Sequence, residues 1–217
     1  MTATKARRTD RTAGTREAIM SAAERLYAER GLADVSSRQI AEAAGQGNVT
    51  AVSYHFGDRT GLIRAIMTRH GERADLIRAR HAAAVEGSTE IRDWVGCLVR
   101  PVTEHLAELG TPSWHARFTA QVMTDPRLRA IVSEEAVARP HLRRILDALA
   151  TCLPDLPVPV RAARGEMARH LINHTCAERE RALAEHPTAP HPTWPETANA
   201  LTDALVGLLT APNTVAP

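Results

Sequence analysis

Polar side chains crowd together between residues 48 and 59, directly after two glycines that lie two positions apart. They are an amide and two short hydroxyls, then a phenol, an imidazole and a guanidinium: Asn48, Thr50, Ser53, Tyr54, His55 and Arg59. Short donors and acceptors can reach base edges in the major groove of a duplex, and longer donors and cations can bind phosphates. The stretch therefore favours nucleic-acid binding, with a small aromatic plug of the core at residues 54–56 as the alternative.

Two short helices on either side of a glycine turn would present this stretch to a partner. Ser36 can cap the first helix, and Gln39 three positions later can complete a capping box. Gly45 ends that helix after about two turns, and Asn48 can cap a second short helix that runs to about His55. With an amphipathic helix before them, this order predicts a helix-turn-helix, whose second helix enters the major groove.

The start of the chain is basic, whereas its later part is mildly acidic. Five cations stand against a single acid in the first 16 residues: Lys5, Arg7, Arg8, Arg11 and Arg16. Such a gradient fits an anionic partner at one end of the molecule, and a solvated tail is the alternative. We expect residues 1–13 to form a flexible basic arm that neutralises phosphates or reaches into a minor groove.

The composition is that of a globular protein with a buried core, since 44% of the 217 residues are hydrophobic and 24% are charged. No apolar run approaches the roughly 20 residues that cross a bilayer, and the polar N-terminus lacks the apolar region of a secretory signal. The cysteines Cys97, Cys152 and Cys176 form no CxxC pair, as expected for reduced thiols. We therefore expect a cytoplasmic protein without a membrane partner.

Helical periodicity continues along the whole chain, and no run alternates in the manner of a strand. The expected fold class is therefore all-α, with a three-helix unit over residues 14–58 and a larger helical unit over residues 59–210. Asp58 should cap a long helix that reaches about Ala84 and joins the two units. Residues 211–217 are expected to be a frayed tail.

The remaining helices of the larger unit are punctuated by prolines. They are expected near residues 89–109, 113–123, 126–151, 158–185 and 195–210. Pro101 and Pro140 fall within these patterns and should kink or break the helices. The proline-rich segment 186–195 cannot be helical.

Two segments of the first unit, SAAERLYAERGLADVSSRQIAEAAG and VSYHFGDRTGLIRAIM, closely resemble the N-terminal domain of TetR-family transcriptional regulators. The resemblance covers about residues 14–66, and it is carried by Ile40-Ala41-x-x-Ala44-Gly45 and Tyr54-His55-Phe56-x-x-Arg59. The turn GQGN is longer by one residue than is usual in the family, and Arg59 stands where Lys is usual. Either cation can hold a phosphate.

The resemblance implies a homodimer in which each subunit reads one half of a near-palindromic operator on double-stranded DNA. It also implies a C-terminal domain whose small-molecule effector changes the spacing of the two DNA-reading heads, so we expect a repressor. The expected DNA contacts are Arg16, Ser36, Ser37, Arg38, Asn48, Val49, Thr50, Ser53, Tyr54, His55 and Arg59. Apolar stripes on helices 158–185 and 195–210 suit either the dimer contact or the core of one subunit.

Most of the remaining bulky or soft side chains lie on helices 89–123 and 158–185. In a chain with only 3% aromatic residues, two Trp and a Phe close together suggest a lined cavity, and plain core packing is the alternative. The expected lining is Trp94, Cys97, Leu98, Val102, Trp114, Phe118, Gln121, Val122, Met167, His170, Leu171 and His174. Gln121 with His170 or His174 would anchor an effector that we expect to be apolar or aromatic.

Three other kinds of function are weighed against this one. His170 and His174 lie four apart and could serve a metal-responsive regulator, but no carboxylate or Cys completes the set, so we expect neither a metal nor a cofactor. The absence of GxSxG, P-loop, GxGxxG and HExxH motifs argues against an enzyme. A helical ligand-binding or structural dimer without specific DNA reading is the last alternative, and the basic arm argues against it.

Overall fold

The computed structural model describes the backbone of residues 2–213 and the side chains of residues 12–213. All regular structure in this range is α-helical, which confirms the predicted fold class. The helices are α1 (Thr2–Arg30), α2 (Ser37–Ala43), α3 (Thr50–Phe56), α4 (Arg59–Ala84), α5 (Ile91–Leu109), α6 (His115–Thr124), α7 (Pro126–Val137), α8 (Pro140–Cys152), α9 (Val158–Glu185) and α10 (Trp194–Thr210). None of them combines the length and the apolar character needed to cross a membrane.

The first helix begins earlier than its sequence pattern indicates. Its predicted start lies near residue 15, whereas the backbone is helical from Thr2. Residues 2–14 contain no proline and several good helix formers, so nothing in them stops the helix. The backbone of the predicted arm is thus part of α1, and the side chains of Lys5, Arg7, Arg8 and Arg11 lie outside the described residues. Residues 214–217 of the predicted tail also lie outside them.

One hydrophobic core holds the first three helices against the beginning of α4. Its buried members on these helices include Ile19, Ala23, Tyr27, Ile40, Ala41, Val52, Leu62, Ile63 and Ile66. The same core continues into α6 and α7 through Phe118, Val122 and Val132, and the rings of Tyr27 and Phe118 stack with centroids 6.0 Å apart. Because interiors are close-packed, a shift of α6 or α7 must be accommodated by α1 or α4.

A second core lies among α5, α8, α9 and α10. The apolar stripe of α10 is buried there, mainly against α5, through Ala198, Leu201, Leu205 and Leu209. This stripe, which the sequence pattern left open between dimer contact and core, is therefore core. On the predicted stripe of α9, by contrast, Met167 is exposed, and Val160, Leu171 and Ile172 are half-buried.

Proline sets one helix boundary and is tolerated elsewhere. The single helix predicted over residues 126–151 is two helices, because Pro140 occupies the first turn of α8, where its missing N–H costs nothing. Pro101 lies inside α5 without ending it. Residues 186–193 are not helical, as predicted, but Trp194 and Pro195 belong to α10, because proline is tolerated in the first turn of a helix.

Candidate nucleic-acid interface and effector cavity

The predicted helix-turn-helix is present, and its first helix has the predicted capping box. Ser36 Oγ accepts the backbone N–H of Gln39 at 3.3 Å, and Gln39 Oε1 accepts the backbone N–H of Ser36 at 2.8 Å, which closes the capping box of α2. Gly45, with a φ of +67°, makes the turn that follows. Asn48 Oδ1 then accepts the N–H of Thr50 at 2.9 Å, but the N-cap of α3 is the next residue, Val49, which makes no side-chain cap.

α3 has one buried side and one exposed side. Val52 is buried, and Phe56 packs against the same core. The predicted contact residues on the other side are all exposed: Asn48, Val49, Thr50, Ser53 and Tyr54. Positions 49 and 53, and positions 50 and 54, are four apart on a helical backbone, so their side chains share a face. The structure therefore brings these residues together on one surface, from which Tyr54 projects with 83% of its area exposed.

Arg16 supports the end of α3 from the preceding helix. Its Nη1 donates to the backbone carbonyl of His55 at 2.9 Å, and its guanidinium carbon lies 4.4 Å from the centre of the Phe56 ring. A cation at the C-terminal end of a helix stabilises the carbonyls that have no helical partner. The sequence predicts a phosphate contact for Arg16 and gives no sign of this contact, because 39 positions separate the two residues.

The remaining predicted contacts divide between two surfaces. Ser37 and Arg38 are exposed in the first turn of α2. Arg38 pairs with Glu42 at 2.9 Å, and such an exposed pair is weak enough to exchange for another anion. Arg59 instead lies over α1, with its guanidinium carbon 5.4 Å from the centre of the Tyr27 ring.

The turn between α3 and α4 leaves no room for a side chain at Gly61. A Cβ there would lie 2.0 Å from the carbonyl oxygen of Phe56, so Gly61→Ala must push the end of α3 away from α4. We expect Gly61→Ala to lower the free energy of unfolding by about 1–3 kcal/mol in urea denaturation. As a control, Gly165→Ala on α9 meets no atom within 4 Å and should stabilise by about 0.5–1 kcal/mol. Equal stability of the two variants would contradict the contact.

A cavity of about 160 Å³ lies among α4, α5, α6, α7 and α9. Much of its wall is apolar, through Met67, Val102, Leu106, Met123 and Val132. Two buried donors that also line it, Arg78 Nε and Asn173 Nδ2, have no hydrogen-bond partner among the described residues. A buried donor without an acceptor is costly, so the cavity suits a molecule with an apolar body and an acceptor group.

Only Val102 of the predicted lining residues borders this cavity. Phe118 and Val122 lie in the first core, and Trp94, Cys97, Leu98 and Leu171 lie in or against the second core. Trp114 lies beside Glu29, and Gln121 lines a surface groove that Arg59 also lines. Met167, His170 and His174 lie in exposed positions on α9. The structure therefore places most of the predicted lining residues away from this cavity. A large apolar side chain is stabilised at any buried site that removes its apolar surface from water. The size of a side chain therefore does not predict whether its side of the helix borders a cavity.

A cluster of three histidines separates the cavity from a surface groove that contains Ser21 and Pro112. We call it the histidine cluster: His70 of α4, His105 of α5 and His115 of α6. The rings of His70 and His115 stack with centroids 3.7 Å apart, and His70 Nδ1 lies 2.8 Å from His105 Nε2. No sequence motif indicates the cluster, because the three residues come from different helices.

Glu24 of α1 joins the histidine cluster through one carboxylate oxygen. Its Oε1 lies 2.8 Å from His70 Nε2 and 3.2 Å from His115 Nδ1. Burial, followed by the charge of His115, lowers the pKa of His70 and of His105 to about 4. Burial disfavours the Glu24 carboxylate, but the hydrogen bonds from His115 and His70 outweigh burial and hold its pKa well below the ordinary value. At neutral pH, His70 and His105 are therefore uncharged and Glu24 is ionised.

The other candidate metal pair is not supported by its surroundings. His170 and His174 are both exposed, with ring centroids 6.1 Å apart. Within the part of the chain that the structure describes, the histidine cluster is the one group of three side chains close enough to share an ion.

Two family models match the chain. Residues 19–66 match "Bacterial regulatory proteins, tetR family", and residues 96–208 match "Tetracyclin repressor-like, C-terminal domain". No curated protein sequence matches. A structure from Rhodococcus sp., assigned to the TetR-family transcriptional regulators, is 18% identical with a TM-score of 0.55, over 90% of this chain and 99% of the other. The structure of the TetR family transcriptional regulator PfmR from Thermus thermophilus is 17% identical, with a TM-score of 0.52. The match covers 90% of this chain and 99% of the PfmR chain. These two structures share the fold.

Proposed function

Because the chain belongs to the TetR family of bacterial regulatory proteins, we propose that it is a homodimeric repressor that releases a near-palindromic operator when an effector fills the cavity. Members of this family are DNA-binding transcriptional regulators and not enzymes, so DNA binding and regulation follow from membership. The observation that carries the finer proposal is the exposed polar face of α3.

The side chains of this face suit two kinds of contact. Thr50 and Ser53 are short enough to reach base edges, and the Thr50 methyl group can meet a thymine methyl. Tyr54, His55 and Arg38 offer donors for phosphates, which set the register of the protein on the duplex. The further proposed contacts are Arg16, Ser36, Ser37, Asn48, Val49 and Arg59.

Selection from random duplexes tests this proposal. The full chain is incubated with the library at moderate salt, and the retained duplexes are sequenced. We expect a near-palindrome with half-sites roughly 34–36 Å apart, bound less tightly as salt rises. A folded protein that enriches no motif would contradict specific DNA reading.

Substitutions on α3 should separate the two kinds of contact. Tyr54→Phe and His55→Ala should weaken binding to all duplexes alike, since they remove phosphate donors. Thr50→Ala and Ser53→Ala should change the preferred base at one position, by about 1–3 kcal/mol of discrimination. Thr151→Ala, at an exposed position of α8, is the control and should change neither quantity. If both groups of variants gave the same sequence profile in the selection, the assigned register would be wrong.

α4 connects the cavity to the DNA-reading helices. Its first turn follows α3, and its middle borders the cavity through Gly71, Ala74 and Arg78. A ligand that binds one setting of α4 more tightly shifts the population toward that setting and changes the spacing of the two α3 helices. The unpaired donors of Arg78 and Asn173 support an effector with an acceptor group on the apolar body that the sequence predicts.

Exposed apolar side chains on α9 support a contact between two copies of the chain. Met167 is 55% exposed, while Val160 and Leu171 on the same side of α9 are half-buried. We place the two-fold contact on this side of α9, together with the half-buried Leu208 of α10. An isologous contact gives the dimer two-fold symmetry, which matches the two half-sites of a palindromic operator. Recovery of a near-palindrome in the selection therefore also tests the proposed dimer.

A further inference from the structure

We propose that His70, His105 and His115 bind one divalent transition-metal ion, with Zn²⁺ as the test ion, at the boundary between the cavity and the surface groove. One ring nitrogen of each histidine lies within 4.8 Å of the other two. A tetrahedral Zn²⁺ with bonds of about 2.0–2.1 Å keeps its ligand atoms roughly 3.3 Å apart. Side-chain rotations that change the separations between the three ring nitrogens by about 1–1.5 Å therefore bring all three within bonding distance of one ion.

Glu24 determines which ring nitrogens face the ion. Its Oε1 contacts Nε2 of His70 and Nδ1 of His115. The other nitrogens of these two stacked rings, Nδ1 of His70 and Nε2 of His115, therefore lie on the ring edges that face away from Glu24. Nε2 of His105, which lies 2.8 Å from Nδ1 of His70, is the third ligand atom. A carboxylate that accepts the other N–H of a histidine fixes the tautomer and the ring orientation of many metal ligands in this way.

The Glu24 carboxylate is itself held in place. Arg69 Nη2 donates to its second oxygen at 2.6 Å, and Arg69 also pairs with Glu17. The cluster thus offers imidazole ligands with a fixed anion behind them.

His105 supplies an independent observation. Its side chain is 8% exposed, and its Nδ1 has no hydrogen-bond partner among the described residues, with the carboxylate of Glu108 at 3.9 Å. If His105 Nε2–H donates to His70 Nδ1, the tautomer leaves His105 Nδ1 as a buried acceptor without a donor. An ion on Nε2 instead places the proton on Nδ1, from which it can be donated toward Glu108.

The ion also connects two parts of the regulator. Glu24 lies on α1, which supports α3 through Arg16, whereas the three ligands lie on the helices that surround the cavity. An ion that favours one arrangement of these helices changes operator affinity, and DNA changes metal affinity by the same factor. This regulatory consequence rests on the proposed function, but the metal site does not.

Metal titration of the full chain, first stripped with a chelator, tests the site. Zn²⁺ is titrated in competition with a chromophoric chelator, and Co²⁺ binding is followed by the visible absorption of the four-coordinate ion. We expect one ion per chain. His105→Gln should weaken Zn²⁺ binding roughly 100-fold or more, and Glu24→Gln about 10–100-fold. His174→Gln, which changes an exposed histidine of α9, is the matched control and should leave Zn²⁺ affinity unchanged.

The outcomes separate the site from its regulatory role. Circular dichroism establishes that each variant is folded, and His115→Gln replaces His105→Gln if the latter is not. Failure of the folded wild-type chain to bind Zn²⁺, or binding that is lost in His174→Gln and kept in His105→Gln, would overturn the site. A Zn²⁺-dependent change of about 5–150-fold in operator affinity supports regulation. Tight Zn²⁺ binding with unchanged operator affinity overturns regulation alone, and Zn²⁺ binding without any specific DNA reading contradicts the proposed function instead.

Discussion

Replacing Glu180 with alanine is expected to lower the free energy of unfolding by about 3–5 kcal/mol. The side chain is 2% exposed, and its carboxylate accepts hydrogen bonds from Ser113 Oγ at 2.8 Å and from the backbone N–H groups of Ala116 and Arg117 at 3.2 and 3.0 Å. Arg117 Nε adds a charged donor at 3.2 Å. The substitution leaves the partly buried Nε of Arg117 and the first N–H groups of α6 without their acceptor.

Urea denaturation of two variants on the same helix measures the effect. Glu178→Ala removes an exposed carboxylate of α9 and should change stability by less than about 0.5 kcal/mol. Glu180→Gln keeps an acceptor without the charge and should fall between the two. If Glu180→Ala proved as stable as Glu178→Ala, the start of α6 would not depend on this carboxylate.

Lowering the pH from about 6.5 to about 4 is expected to destabilise the metal-free protein by roughly 3–7 kcal/mol. His70 and His105 have a pKa of about 4 when folded, compared with an ordinary value of 6.5. Between these values the unfolded chain binds more protons than the folded one, so stability is complete above pH 6.5 and is lost as the pH falls. A difference of about 2.5 in pKa corresponds to roughly 3 kcal/mol for one isolated group, and the contact between the two rings couples their titrations.

Other charged groups act on the same transition. The groups that face the two rings are Glu17, Glu24, Arg69, Arg73, Glu108 and His115. Because the folded pKa of Glu24 lies below its ordinary value, its stabilising contribution is also lost as the pH falls. Urea denaturation across a pH series in EDTA measures the total. His105→Gln should flatten the pH dependence by about half, and equal stability of the wild-type chain at pH 7 and pH 5 would contradict the burial of two uncharged rings.

The DNA-reading unit could be predicted in some detail, because local interactions delimit it. The Ser36–Gln39 capping box and the cap formed by Asp58 with the N–H of Gly61, at 2.7 Å, each span three positions. Helical periodicity likewise places Val52 inside and Tyr54 outside without reference to any distant residue. The predicted exposed surface of α3 is therefore close to the surface that the structure has.

The cavity could not be predicted in the same way. Phe118 shows why: its size predicts burial, but the rotation of α6 against α1 decides that it stacks on Tyr27 instead of lining a void. Glu180 gives no local signal either, since its hydrogen-bond partners on α6 lie 63 and 64 positions earlier.

The sequence by itself determined where most of the helices begin and end and which of their sides are apolar, because caps and periodicity act over a few residues. Only the tertiary structure decided which sides meet. It placed Arg16 at the end of α3, across 39 positions, and His70 beside His105, across 35 positions. Such separations are bridged only when helices pack, and the packing depends on the shapes of whole surfaces and not on any one motif.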